Sequence, residues 1–308
     1  MAEVVASKLA EVVVGAGTDD PRTLWPRMVA GLRNLGRQGL AAMAVSAADI
    51  ALWDLYARRR GVAVVDALGR HHDDVAAYGS GGFCTYSPPE VAEQLGAWAG
   101  EGFEAVKMKV ARHPDEDPAR LAAARAAVGV ATLMVDVNGA FTFAQARRWA
   151  RRYAEHGVAW LEEPVTADDR SSLRRLRASV PAGMEVSAGE YGWDPWYFRD
   201  LLADEAVDCP QADVTRCGGF TGFAQVATLA EAHHLDLSAH TAPLLSAHAG
   251  CATRRLRHLE WFHDHVRIER RFFEGWLEPR GGRLRPDPDA PGLGVALRRP
   301  DVERLAVS

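Results

Sequence analysis

A closed α/β barrel of eight parallel strands, preceded by a mainly helical capping segment, is the fold that the sequence predicts. Three observations carry this. Short apolar runs bounded by turn residues recur from Val75 onward, the pattern of strands buried on both faces. Helical patterns alternate with these runs, residues 143–153 being one such pattern. Three consecutive runs end in a carboxylate: Leu133-Met134-Val135-Asp136, Ala159-Trp160-Leu161-Glu162 and Glu185-Val186-Ser187-Ala188-Gly189-Glu190. These acids stand 26 and 28 residues apart, about one strand-helix unit per step.

In chain order, residues 1 to about 70 read as helices only, at 2–14, 23–34 and 40–59, the last with Ile50, Leu52, Trp53, Leu55 and Tyr56 facing inward. A connector, 58–74, carries a short helix stopped by Gly69. Strands follow at 75–82, 105–110, the three acid-ended runs, 207–213, 235–240 and 258–262. Helices fall between them at 88–100, 118–128, 143–155, 170–178, 195–203, from Gly219 to His233, and at 244–255. Eight strands is the count that a TIM-like (β/α)8 barrel requires. The chain divides accordingly into a helical cap, 1–74, a barrel, 75–265, and a Pro- and Gly-rich tail, 266–308, that returns to the cap.

With 308 residues and 48% hydrophobic content, the chain can bury a large core. A net charge of -5 with acids and bases interspersed gives no basic face for nucleic acid. The Arg147, Arg148, Arg151, Arg152 and Arg174, Arg175, Arg177 groups read as solvated helix faces. Cys84, Cys209, Cys217 and Cys251 form neither a CxxC pair nor a disulfide-like framework, which fits a reducing cytoplasm. No apolar stretch approaches the ~20 residues of a membrane span, residues 1–14 lack a signal-peptide pattern, and no membrane partner is expected.

If the sheet closes, Asp136, Glu162 and Glu190 gather at its C-terminal mouth, where barrel enzymes hold their chemistry. Three hard oxygen ligands suit a hard divalent cation, Mg²⁺, with positions open for water and an oxygen-rich substrate. Any one of these acids alone reads more simply as the cap of the next helix, but three at matching registers argue for ligands. Lys107 and Lys109 lie two apart and share a face, the barrel interior unless this is a solvated edge strand. Paired ammonium groups beside a dication predict that the pKa of one falls towards neutrality, making it a general base. Asp213 and His240 end neighbouring strands; a carboxylate there fixes the imidazole tautomer and yields a second acid/base group, whereas His240 alone would read as structural. Glu260 reads either as a neutral acid donating to a developing oxyanion or as a barrel-end salt bridge.

The order Lys107-x-Lys109, Asp136-x-Asn138, Glu162-Glu163-Pro164, Gly189-Glu190, Asp213 with a following Gly218-Gly219, His240 and Leu259-Glu260 resembles the mandelate racemase branch of the enolase superfamily, over residues 75–262. A Lys or His base working with Mg²⁺ on an enediolate is the general pattern of such sites. The resemblance implies Asp136, Glu162 and Glu190 as Mg²⁺ ligands, Lys109 as one base with Lys107 as its partner and carboxylate contact, and Asp213 with His240 as the second. It also implies Glu260 as enolate hydrogen-bond donor and Asn138 as a contact to a substrate hydroxyl. The implied reaction is abstraction of the proton α to a carboxylate, with dehydration of a sugar acid expected; racemisation, epimerisation and cycloisomerisation are the alternatives. A homo-oligomer is expected as well. Relatives of this kind begin with a three-stranded sheet that closes over the mouth, and this chain starts after it, so the expectation is an upstream start or a missing lid. A 308-residue form would then be less soluble and less active than an extended one, exposing Phe272, Phe273 and Trp276, and an impaired scaffold would be possible. Phe83, Tyr86, Tyr191 and Trp193 are candidate walls of the substrate site. A metal-dependent barrel hydrolase would need a His pair on an early strand, and Tyr78-Gly-Ser-Gly-Gly82 offers none.

Overall fold

Alternation within each apolar run decides which side chains face the barrel axis. In the computed structural model, which describes residues 1–305, Leu133 and Val135 pack outward into the layer shared with the helices, while Met134 joins Tyr78, Trp160 and Cys209 inside. The strands run parallel in sequence order: β1 (Val75–Gly81), β2 (Ala105–Lys109), β3 (Thr132–Asp136), β4 (Val158–Glu162), β5 (Glu185–Ala188), β6 (Cys209–Ala212), β7 (Leu237–Ala239) and β8 (Leu256–Phe262). β1 pairs with both β2 and β8, Tyr78 standing opposite Glu260, so the sheet closes and has no free edge. Lys109, Asp136 and Glu162 are in register across β2, β3 and β4, which brings their side chains to one level.

The helices between strands follow the sequence reading with small shifts. Phe143–Ala154 opens on a Thr142/Gln145 capping box and turns Arg147, Arg148, Arg151 and Arg152 to solvent. Pro243–Cys251 is shorter than expected, because β8 already begins at Leu256. Leu40–Arg60 corrects two expectations. It is long and apolar enough, by length and composition, to cross a membrane, and Leu55 is 41% exposed instead of inward. Its Ala41, Ala44 and Val45 pack against Trp25 and Met28 of helix Pro21–Gly31, which starts two residues earlier than expected because Asp20 caps it and Pro21 occupies its first position.

This helical pair is latched to the turn after β6. Trp25 Nε1 donates to Gly218 O (2.8 Å), Gly218 N donates to Ser46 Oγ (2.9 Å), and Asp49 accepts from Thr221 N (2.9 Å) and Thr221 Oγ1 (2.7 Å). Burial pushes Asp49 up to about 7. Gly218 and Gly219 both have positive φ, and a Cβ on Gly219 would lie 2.4 Å from Asp49 Oδ2, so this glycine is required by the close approach of the helix. The tail does return to the helical segment: Gly292 exchanges backbone hydrogen bonds with Val62 and Val64, and Leu293 N donates to Asp54 Oδ1 (2.7 Å). It also adds Arg283–Leu284 antiparallel to β1. Phe272, Phe273 and Trp276 are half-buried, contrary to the expected exposure: Trp276 packs against the main core under the Arg270 guanidinium, Arg271 lies over Phe272, and Phe273 pairs with Leu297.

Gly219→Ala should therefore lower stability by about 1–3 kcal/mol, through positive-φ strain and contact with Asp49. Guanidinium unfolding followed by circular dichroism checks this, and an unchanged midpoint and slope would refute the latch.

Candidate active site

The strand ends determine the site. Lys107 and Lys109 project from β2, Asp136 and Glu162 are the last residues of β3 and β4, Asp213 and His240 follow β6 and β7 by one residue, and Glu260 lies within β8. Glu190 stands two residues past β5, after Gly189 at φ +130°, where a Cβ would meet Gln211 O at 2.4 Å. Asp136, Glu162 and Glu190 are all buried, and one carboxylate oxygen from each lies within 4.8 Å of the others. Glu190 Oε2 has no hydrogen-bond donor. A buried, donorless carboxylate oxygen beside two more acids fits a hard divalent cation.

Lys107 is fully buried and bridges two acids, donating to Glu162 Oε1 (2.5 Å) and lying 2.9 Å from Glu260 Oε1. Lys109 is bonded to Asp136. With no cation at the acids, these contacts set the lysines' charge. Burial pulls both ammonium groups down, but Glu162, Glu260 and Asp136 outweigh it and hold both above the usual lysine range. Asp136 is correspondingly lowered, burial being outweighed by Lys109 and Lys107, while burial and the surrounding carboxylates push Glu162 up. Glu260 makes the ion pair that one of its two readings expects, with Lys107. Burial alone would raise it, yet Lys107, His240 and Lys109 hold it below the ordinary range, and it accepts from Ser80 Oγ (2.6 Å) and Thr241 N (3.0 Å).

On the other side of the acid cluster, His240 Nδ1 lies 2.9 Å from Asp213 Oδ2, which therefore fixes the proton on Nδ1. Its Nε2 is 3.4 Å from Glu190 Oε2 and 3.5 Å from Glu260 Oε2. Burial lowers the His240 pKa, but Glu190, Glu260 and Asp213 together raise it to about 9, which favours the imidazolium while the acids around it carry their charge. Asp213 is itself lowered, burial being outweighed by His240, and it also accepts from Thr215 N (2.7 Å) and Thr215 Oγ1 (2.6 Å). Asn138 directs its backbone and side-chain amides at Asp136, at 2.8 and 3.1 Å, so its Oδ1 is what a ligand would meet. Tyr191 is 54% exposed under the Arg216 guanidinium, and with Trp193, Met43 and Gly39 they line a hollow of about 260 Å³ between cap and barrel. Phe83 packs on Phe262 and His263 beside Lys109.

Several participants were not singled out from the sequence. Gln211 Nε2 and Trp160 Nε1 both donate to Glu162 Oε2, each at 3.0 Å. Gln211 was visible as a polar residue at an inward position of β6. Glu163, in the Glu-Glu-Pro motif, is buried at φ +40° and pushed up to about 9 by burial and by Glu190, Asp136 and Glu162.

A closed barrel with three clustered carboxylates, a lysine pair on one side and a histidine-aspartate pair on the other defines an enolase-type barrel. Residues 90–302 match the family described as enolase C-terminal domain-like, and residues 1–69 match the mandelate racemase/muconate lactonizing enzyme N-terminal domain. The chain belongs to the mandelate racemase/muconate lactonizing enzyme family of the enolase superfamily. It is 32% identical over 304 residues to D-galactarolactone cycloisomerase of Agrobacterium fabrum, covering 91% of this chain and 79% of that protein. The structure of a mandelate racemase/muconate lactonizing enzyme-like protein from Rubrobacter xylanophilus superposes with a TM-score of 0.95 at 52% identity, over 98% of this chain and 84% of that one. L-talarate/galactarate dehydratase from Salmonella typhimurium LT2, liganded with Mg and L-lyxarohydroxamate, superposes with a TM-score of 0.88 at 29% identity, over 98% and 77% of the two chains.

Asp213→Asn removes an anion and the acceptor facing Nδ1, both of which favour the imidazolium. The His240 pKa should fall from about 9 in this variant. Titration of the ring by NMR reads this directly, and an unmoved value would show that Asp213 does not set the histidine's charge.

Proposed function

We propose that this protein dehydrates a sugar acid in a Mg²⁺-dependent reaction, with Asp136, Glu162 and Glu190 holding the metal. The observation that carries the reading is the placement of Lys109 against the first of these acids and of His240, backed by Asp213, against the last. A bound Mg²⁺ supplies Lewis-acid stabilisation of the negative charge that develops on a substrate carboxylate. A cation held by Asp136 would offset the largest attraction that keeps Lys109 protonated, leaving burial and Lys107, which favour the free amine, against the weaker pull of Glu260 and Glu162. Lys109 Nζ then takes the α-hydrogen as a proton, and the C–H electron pair moves into the carboxyl group to give an enediolate. Lys107, held charged between Glu162 and Glu260, offers a fixed positive charge to that anion. As the enediolate collapses, the pair forms the new double bond, the bond to the β-hydroxyl breaks, and His240 Nε2 gives its proton to the departing oxygen.

The relatives support the substrate class, one being named for talarate and galactarate and another for galactarolactone. Cycloisomerisation starts with the same abstraction; the His240-Asp213 pair, which can hold a proton on the side of the acid cluster away from Lys109 and hand it to a departing hydroxyl, favours dehydration here. Four free thiols support a reducing, cytoplasmic setting.

Metal bound to the folded state raises its melting temperature, by about 2.7 kcal/mol of stability at a hundredfold excess over Kd. Glu162→Gln should abolish the Mg²⁺-dependent rise, and a rise of undiminished size would sink the metal site. The two bases should fail separately. Lys109→Met stops α-proton exchange with D₂O for one configuration, and His240→Asn stops it for the other or stops loss of the hydroxyl, each by roughly 10²- to 10⁴-fold. Full turnover in either variant contradicts the role given to that residue.

A further inference from the structure

Arg120 lies on helix Asp117–Val128, behind β2, and is 3% exposed. Its guanidinium has five N–H donors, and all five are engaged. Nε donates to Tyr86 O (3.1 Å), Nη2 to Gly82 O (2.8 Å) and Phe83 O (2.9 Å), and Nη1 to Lys109 O (3.0 Å) and Asp117 Oδ1 (3.1 Å). Asp117 is buried too, and its other oxygen accepts from Ala111 N (2.8 Å) and Tyr153 OH (3.0 Å). Ala111, two residues past Lys109, has φ +76°, a strained conformation for a non-glycine residue that a neighbouring group must hold. A buried charge needs only one counter-ion, and Asp117 provides it. The other four donors all go to the backbone of two segments, the loop after β1 and the end of β2.

These two segments carry Lys109 and the wall beside it. Phe83 stacks edge-on to Phe262 at 5.9 Å, and Phe262 lies 5.9 Å from Lys109 Nζ. None of the five bonds reaches β7 or His240. We propose that Arg120 is a positioning residue that fixes the backbone of Lys109 and the Phe83 loop together, and so sets proton abstraction on the Lys109 face of the substrate while leaving the His240 face unaffected. This rests on the reading of Lys109 and His240 as groups acting on opposite faces.

Lysine at this position keeps the charge opposite Asp117 but cannot fork to four carbonyls. The test is α-proton exchange in D₂O, read by NMR on the full chain with Mg²⁺, using L-talarate and its mirror image, each of which presents a single configuration at both α-carbons. Arg120→Lys should lose about 10²-fold on the configuration addressed by Lys109, as displacement of a catalytic group by about 1 Å does. It should stay within a few-fold of the native protein on the other, and that retained exchange reports an intact fold. Equal losses on both configurations, or none on either, overturn the proposal. Lys109→Met run alongside keeps the two ideas apart. If it spares both configurations, Lys109 is not a base and the functional reading falls; if it abolishes one while Arg120→Lys spares both, only the clamp is wrong. Should Arg120→Lys not fold, Tyr153→Phe leaves Arg120 in place and removes one bond from the carboxylate that orients it. A smaller loss with the same preference is expected there, and a loss without preference overturns the clamp.

Discussion

The structure depends on holding like charges together away from water. Asp136, Glu162, Glu190, Asp213 and Glu260 are all buried at one end of a narrow barrel, where each raises the cost of ionising the next. Lys107, Lys109 and the His240 imidazolium are set among them, and every one of these cations is paired to an acid from a different strand. Neutral donors take the remaining lone pairs: Trp160 and Gln211 at Glu162, Ser80 and the Thr241 amide at Glu260, Thr215 at Asp213. Only Glu190 retains a donorless buried oxygen among the three clustered acids. The cost of assembling this cluster is thus offset by ion pairs, while the Glu190 oxygen without a hydrogen bond is where an external cation would add most.

Backbone strain follows the same positions. Left-handed residues occur just after Lys109 (Ala111), Asp136 (Asn138), Glu162 (Glu163) and His240 (Thr241 and Ala242), with Gly189 just before Glu190. Each turn diverts the chain sharply at the barrel rim, so the functional side chain stays at the axis while the backbone departs towards its helix. Such conformations cost on the order of 1–3 kcal/mol apiece and persist only where the surroundings impose them. Those surroundings are side chains on the outer helices: Asp117 at Ala111, and His265 and Glu269, which accept from the amides of Ala242 and Leu244.

Much of this was legible in the residue order. Apolar runs ending in Asp136 and Glu162, and the Gly189-Glu190 bend, placed the acids because strand period and unit length are local properties. The paired lysines and the Asp213-His240 pair were legible for the same reason. The charge states of Lys109 and Glu260 were not, since their sign depends on which acids and bases from distant strands come into contact. The helix that begins at Pro243 stops at Cys251 because Thr253 N turns back to Gly250 O, a turn that residues 252–255 do not announce. Arg120 reads in sequence as one more solvated helix arginine, and only the tertiary structure shows that it faces four carbonyls. Leu55 was misassigned because the Ala-rich helix Leu40–Arg60 carries apolar residues on nearly every side.

Below the ionisable layer, Tyr78, Met134, Trp160 and Cys209 fill the barrel, with His258 wedged against the Tyr78 and Trp160 rings. This stopper makes the reaction chamber a cul-de-sac. The acid cluster is therefore approached from the rim at the C-terminal ends of the strands, and a small molecule that reaches it leaves by the same side.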